Sequence, residues 1–393
     1  MFSSLDFSNS SHYGKLSDVP ENIFRRLIGI TIEVPIVLIT QALVIALKFL
    51  DLVLSAFRME RTSQSKVVIE AGLRGWDSTF FGELLSSAEE FFGNENVVKL
   101  TIFPNEDRIK QLKYAISGKG VRLLIYDPRT NSRNSIHDLY EAFRVFVHCR
   151  IRRIRVIVYL TDPSITLLRL QSVIASRAEG RIVTPMKIKE LGWLAWGFRI
   201  NGPFPMPISA RTSESIRKHI SESIGHFDGF KSPTFRGSLY PLRLAFFEKL
   251  NTLLEQKGSP IRVILESKDE KSISTKDYWD GIVNNDVCVT TTFQVVPKGV
   301  LVDRLSINQM VFRISEALAA GNLLFSSPCP GLEEFFQEGK HYIEYSDEED
   351  LANKIMFYSS NTNESSKIRL EGYKQMSKLI SEQLFWREIT KVV

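Results

Sequence analysis

Residues Asn308–Glu344 read NQMVFRISEALAAGNLLFSSPCPGLEEFFQEGKHYIE. The pattern predicts a helix, a turn of small residues at Ala319-Ala320-Gly321, a short strand, a Pro/Gly loop, a second helix and a further strand. Helices and strands that alternate in this way build an α/β layer on a parallel sheet. Arg313 and Glu316 lie three apart on the first of these helices, so they share one of its faces.

The same alternation extends back through the chain. Short buried-strand runs are predicted at Lys66–Ala71, Val97–Phe103, Val121–Tyr126, Arg155–Leu160 and Arg181–Thr184, with helical spacing over Thr79–Phe92, Glu106–Ser117, Ile136–Arg150 and Leu167–Ser176. Residues 197–212, GFRINGPFPMPISART, gather prolines and glycines and mark a domain boundary. A second series follows, with helices at Leu242–Gln256 and Lys276–Asn284, strands at Ile261–Glu266 and Val287–Thr290, and closing helices at Asp347–Tyr358 and Lys367–Phe385. The expected organisation is a tail and apolar helix over 1–64, a Rossmann-like domain over 65–225 and a second over 226–393. Ligands of such sheets meet the loops after the strand carboxyl ends.

With 393 residues the chain has room for full-sized cores, and 44% hydrophobic against 24% charged residues excludes a disordered chain. The net charge of +5 favours anionic partners without selecting nucleic acid. Three dispersed cysteines exclude a disulfide framework and a Cys-rich zinc site. Residues 1–20 read as a loose tail rather than a secretory signal. Arg25 and Arg26 then precede the most apolar stretch, 27–57, which Arg58 and Arg61 follow. Pro35 suits a helix start, and Gln41, Lys48 and Ser55, with Asp51 near the same line, leave one narrow polar stripe. Three readings fit: a helix in the membrane surface, a transmembrane span burdened by Lys48 and Asp51, or a helix packed on the body of the protein.

Several residues have the chemistry for a site. In Phe235-Arg236-Gly237-Ser238-Leu239-Tyr240-Pro241-Leu242-Arg243, Gly237 ends a strand ahead of a helix, where backbone can approach a phosphate, and Arg243 can add a bidentate contact. Arg313 suits a diphosphate, Glu316 suits vicinal hydroxyls, and the small residues to Gly321 permit close backbone approach. Asp77, in the loop after the first strand with Arg74 and Trp76, is a candidate general base or a helix N-cap. Asp127 and Asp162 precede prolines and read as turn residues, and His226 and His341 as structural ones. The basic run Arg144–Arg155 reads as a helix end and solvated turn, with anionic lipid as the sharper alternative. Its aromatics do not interleave as nucleic-acid stacking platforms would.

The string MVFRISEALAAGNLLFSSPCPGLEEFFQEGKHYIEYSDEEDLANKI resembles the donor half of GT-B glycosyltransferases of the family 1 and 4 type, above all the spore-maturation CgeB-type branch. Phe235–Arg243 resembles the opening of the same donor domain. The resemblance implies two Rossmann-like domains facing a crevice, with a nucleotide-sugar as co-substrate and no cofactor. It places Glu316 on ribose or sugar hydroxyls, Arg313 and Arg243 on the diphosphate, and Gly237 and Gly321 at close backbone approach. Asn308 stands where retaining members often carry a second Glu. No Asp-x-Asp occurs, so arginines and helix N-termini are expected to balance the leaving group without metal. The implied acceptor is a saccharide or lipid-linked sugar for surface polysaccharide or glycolipid, on the cytoplasmic side of the cell membrane. The alternatives are a nucleotide-sugar epimerase of the same fold and a catalytically silent binding or membrane-scaffold protein.

Overall fold

The protein's structure, a computed structural model, describes residues 38, 42–43, 45–57, 66–71, 79–101, 107–116, 120–128, 135–160, 166–177, 180–185, 200–220, 230–237, 239, 241–266, 275–292 and 308–391. Two parallel sheets organise them. The first has six strands, β1 (Lys66–Ala71), β2 (Val97–Thr101), β3 (Val121–Tyr126), β4 (Arg155–Tyr159), β5 (Arg181–Val183) and β6 (Ile200–Asn201), in the order β2-β1-β3-β4-β5-β6. The second has five, β7 (Thr234–Arg236), β8 (Ile264–Glu266), β9 (Val287–Thr290), β10 (Leu323–Ser326) and β11 (Ile343–Glu344), in the order β11-β10-β9-β7-β8.

Alternate side chains of each strand face opposite layers. In the first sheet Val68, Leu124 and Val156 meet α1 (residues 45–55), α3 (Arg108–Ile116), α4 (Ser135–Ile151) and α5 (Thr166–Ser176). Val67, Ile69 and Ile157 face the other way, toward α2 (Thr79–Phe92) and α12 (Leu384–Lys391). In the second sheet Val287, Val289, Leu323 and Phe325 pack with α7 (Pro241–Gln256) and α10 (Glu348–Ser360). Cys288 and Leu324 face α6 (Ala210–Ile220), α8 (Thr275–Val283), α9 (Phe312–Ala319) and α11 (Thr362–Ser381). Runs buried on both faces explain why these strands read as continuous apolar segments.

The carboxyl edges of the two sheets face each other. The Met310 amide, ahead of α9, donates to the Pro185 carbonyl after β5 at 3.0 Å. The Phe80 and Phe312 rings meet edge to face at 5.6 Å. This is the expected GT-B arrangement, with the carboxyl ends of both sets of strands turned toward each other.

Two helices tie the halves together. Glu83 of α2 accepts from the Ser209 amide at 2.8 Å and the Thr212 hydroxyl at 2.7 Å. Glu90 accepts from the Ala210 and Arg211 amides, so two carboxylates cap the positive end of α6. Burial raises the Glu83 pKa, against the lowering effect of its Ser209 and Thr212 bonds. At the other end of the chain the single helix expected over Lys367–Phe385 breaks at Gln383, whose φ of 49° turns the backbone left-handed. That conformation is uncommon for a residue with a side chain. Beyond it, Phe385, Trp386 and Ile389 enter the core of the first domain, and Trp386 Nε1 donates to Ser87 Oγ at 2.9 Å. Their burial explains why the turn persists without glycine.

The apolar N-terminal stretch packs on the body through one face. Leu47 is buried, Leu43, Leu50 and Leu54 lean on the same core, and Asp51 pairs with Arg150 of α4. Pro35 and Gln41 lie outside the described residues. No described helix is long and apolar enough to cross a membrane.

Candidate functional site

The centre of the site is a buried knot on α9. Arg313 sits in the first turn of that helix and Glu316 in the next, both toward the carboxyl edge of the second sheet. Arg313 Nε donates to Glu316 Oε2 at 2.9 Å. Tyr278 of α8 closes the triangle: its hydroxyl donates to Glu316 Oε2 at 2.7 Å and accepts from Arg313 Nη2 at 2.9 Å. The Arg313 guanidinium also lies 5.6 Å from the centre of the Tyr278 ring. An i,i+3 ion pair is ordinarily a solvated surface feature. Here Glu316 is only 1% exposed.

Burial works against the Arg313 cation, but Tyr278 and Glu316 outweigh it and hold the pKa above its ordinary value. Burial also pushes the Tyr278 phenol well above its usual range, so it remains a proton donor to Glu316. Two atoms of the knot are unused: among the described residues, Glu316 Oε1 and Arg313 Nη1 are buried without hydrogen-bond partners. An unmet buried polar atom costs about 1–3 kcal/mol, which a bound hydroxyl or phosphate oxygen would relieve.

Gly237 and Arg243 join this group. A Cβ built on Gly237 would lie 3.3 Å from the Phe235 ring, a tight contact, and 3.8 Å from Arg313 Nη2, so this glycine lies directly beside the guanidinium. Arg243, in the first turn of α7, stacks over the Phe235 ring at 5.1 Å, and its Nε donates to Thr291 Oγ1 at 2.9 Å just after β9. Thr292 and Ser327, at the ends of β9 and β10, share a hydroxyl contact of 2.9 Å. The ends of β7, β9 and β10 thus present a polar rim beside two arginines and a carboxylate.

Gly321 does not belong to this group. It follows α9 at the far, amino edge of the sheet, with φ 69° ending the helix. Its carbonyl accepts from Arg369 Nε at 2.8 Å, and Arg369 also bonds Asp286. The expectation that Gly321 admits a nucleotide is therefore corrected. A helix that leaves the carboxyl edge must return to the amino edge before the next parallel strand, and Gly321 closes that return. Asp77, with the whole Gly72–Ser78 loop, lies outside the described residues, as do Asp162 and His226. Asp127 is buried, with its amide donating to Glu70. His341 Nδ1 accepts from the Gln337 amide within a turn.

Two participants had no signal in the motif reading. Tyr278 reaches Glu316 across 38 positions of sequence. Arg236 donates to the Tyr278 carbonyl at 3.0 Å and pairs with Glu266. Its guanidinium occupies the space a Cβ on Gly281 would fill. A glycine inside α8 was the available clue, since mid-helix glycine costs stability and signals close approach.

All three cysteines are buried, and burial pushes each thiol above its ordinary pKa, so none is a ready nucleophile. Among the described residues, no cluster of three or more His, Cys, Asp or Glu side chains could hold a metal ion.

Comparison with known proteins bears on the domain and on the fold. Residues 250–381 match the family model described as Glycosyl transferase-like. The structure of Anabaena Alr3699/HepE in complex with UDP superposes with a TM-score of 0.51 at 12% identity, covering 84% of this chain and 100% of that one. The same Anabaena protein in complex with UDP-glucose gives 0.45 at 12% identity, covering 82% and 99%. A glycosyltransferase from Rickettsia africae gives 0.43 at 10% identity, covering 84% and 100%. At these identities the likeness speaks to the fold, and the first superposition carries it. No curated protein matches the chain. Residues 250–381, which include Tyr278, Arg313 and Glu316, are thus a glycosyltransferase-like domain within a chain of GT-B fold.

Proposed function

We propose that the protein transfers a sugar from a nucleoside diphosphate donor to a hydroxyl acceptor, with the donor held by the C-terminal domain. The observation that carries this reading is the buried Arg313–Glu316–Tyr278 knot beside Gly237, with one guanidinium nitrogen and one carboxylate oxygen unsatisfied. In the transfer, the bond between the anomeric carbon and the β-phosphate oxygen breaks, and the electron pair leaves with the diphosphate. Arg313 and Arg243 supply positive charge where that negative charge develops. Glu316 Oε1 accepts from ribose or sugar hydroxyls. Asp77 is proposed as the base that takes the acceptor proton as the new glycosidic bond forms. With two arginines balancing the leaving group, the reaction is proposed to run without metal. The acceptor is proposed to be a saccharide or lipid-linked sugar of the cell surface.

UDP is the first nucleotide to test, because the Anabaena neighbour was solved with UDP and with UDP-glucose. Titration calorimetry with UDP and GDP should give saturable binding to the wild type. Glu316→Ala and Arg313→Ala should weaken it at least tenfold and abolish turnover of the matching nucleotide-sugar. Wild-type binding and turnover in both variants would refute the assignment.

A further inference from the structure

We propose that the outward face of α1 is a docking surface for a bilayer bearing anionic lipid headgroups, so that the protein lies against a membrane through its first domain. The helix has two apolar sides and uses only one. Leu43, Leu47, Leu50 and Leu54 follow helical spacing and pack on the core of the first domain. The opposite side carries Ile45, Phe49 and Leu52, each 67–69% exposed, and Leu38, Val53 and Phe57 around it are exposed as well. A helix that merely covers a soluble protein turns polar residues outward. A row of bulky apolar side chains at this exposure marks a surface that meets something.

Charge selects the occupant. The one acidic side chain of residues 45–55, Asp51, is consumed by its pairing with Arg150. Lys48 is exposed at the edge of the apolar row. In sequence, Arg25 and Arg26 precede the apolar stretch, and Arg58 and Arg61 follow it. A second copy of the chain carries the same net charge of +5 and its own exposed Lys48 on this face, which oppose self-association. Anionic headgroups are attracted, and the apolar side chains can enter the acyl boundary behind them. The Arg150 pair also fixes the helix about its axis, so the exposed row points away from the domain. A span is not what this face supports: crossing needs about 20 apolar residues free of the protein body, whereas Leu47 is buried in the domain core.

The test is co-sedimentation of the full chain with vesicles of phosphatidylcholine alone and of phosphatidylcholine mixed with phosphatidylglycerol. The wild type should pellet with the mixed vesicles, bind the neutral ones weakly, and be partly released by high salt. The double variant Phe49→Asp/Leu52→Asp should lose binding by about a hundredfold, at about tenfold per side chain, while its Tm is unchanged because both side chains point away from the core. Absence of the wild type from the anionic pellet, or equal binding by the double variant, would overturn the proposal. So would a wild-type dimer in light scattering that the double variant converts to monomer, since that would make the face a contact between copies. Neither readout depends on the donor site, so this proposal and the proposed transferase activity can fail separately.

Discussion

Replacing Tyr278 by Phe removes one oxygen and tests whether the knot on α9 holds the second domain's site in shape. The phenol mediates between two charges, donating to Glu316 at 2.7 Å and accepting from Arg313 at 2.9 Å. Hydrogen bonds to charged groups contribute about 1.5–3 kcal/mol each. The direct Arg313–Glu316 contact at 2.9 Å survives the change, so the two losses should not reach their full sum. An overall cost of about 2–3 kcal/mol follows, or about 4–12 °C in Tm for a domain of this size. With its clamp gone, Arg313 can leave the position beside Gly237, and UDP affinity should fall about tenfold, equivalent to about 1.4 kcal/mol. Differential scanning calorimetry and titration calorimetry on the same samples measure both. Tyr140→Phe, on a tyrosine that is 57% exposed, is the control and should change neither. A Tyr278→Phe protein with wild-type Tm would show that the hydroxyl contacts contribute nothing, and the account of the site would fall with them.

Gly281→Ala should destabilise by about 1–3 kcal/mol in urea unfolding, because the new methyl would lie 1.8 Å from Arg236 Nη1 and displace it from the Tyr278 carbonyl. It should also weaken UDP binding, and wild-type values for both would refute the Arg236 link. Burial, with Arg152 and Lys113 adding repulsion, lowers the His148 pKa from 6.5 to about 4. The unfolded chain therefore binds a proton that the folded one refuses, and this contribution to stability is present above pH 6.5 and lost as the pH falls toward 4. The whole shift corresponds to about 3 kcal/mol, reduced to about 1–2 by partial solvent screening. His148→Gln should flatten the stability profile across that window, and an unchanged slope in urea melts would exclude His148 as its source.

The elements that were legible are those whose order is local. β1, β3 and β9 begin and end where their apolar runs do, and α2 fills Thr79–Phe92 as its spacing requires. The second helix expected after the Pro/Gly loop shrinks to a single 3-10 turn, Leu332–Glu334. α6 was hidden in the turn-rich 197–212 boundary and the polar stretch after it, since its N-terminus is capped by carboxylates from α2 rather than by its own sequence. Arg313 and Glu316 could be paired from their spacing, but their burial could not, because Tyr278 comes from another helix. The arginines of the basic run also read differently once folded: Arg144 pairs with Asp107, and Arg150 is buried against Asp51. Gly321 shows the converse error. A small-residue turn looks alike at either edge of a sheet, and only the strand direction decides which edge it occupies.

The crossing of α12 has a consequence for synthesis. Phe385, Trp386 and Ile389 complete a core whose other members begin at Val67. The first domain therefore emerges from the ribosome with an apolar cleft open beside α2, and must keep it from aggregating while the whole second domain is still to be made. Cleavage after Gln383 should accordingly loosen the domain translated first, not the one to which the lost residues are joined.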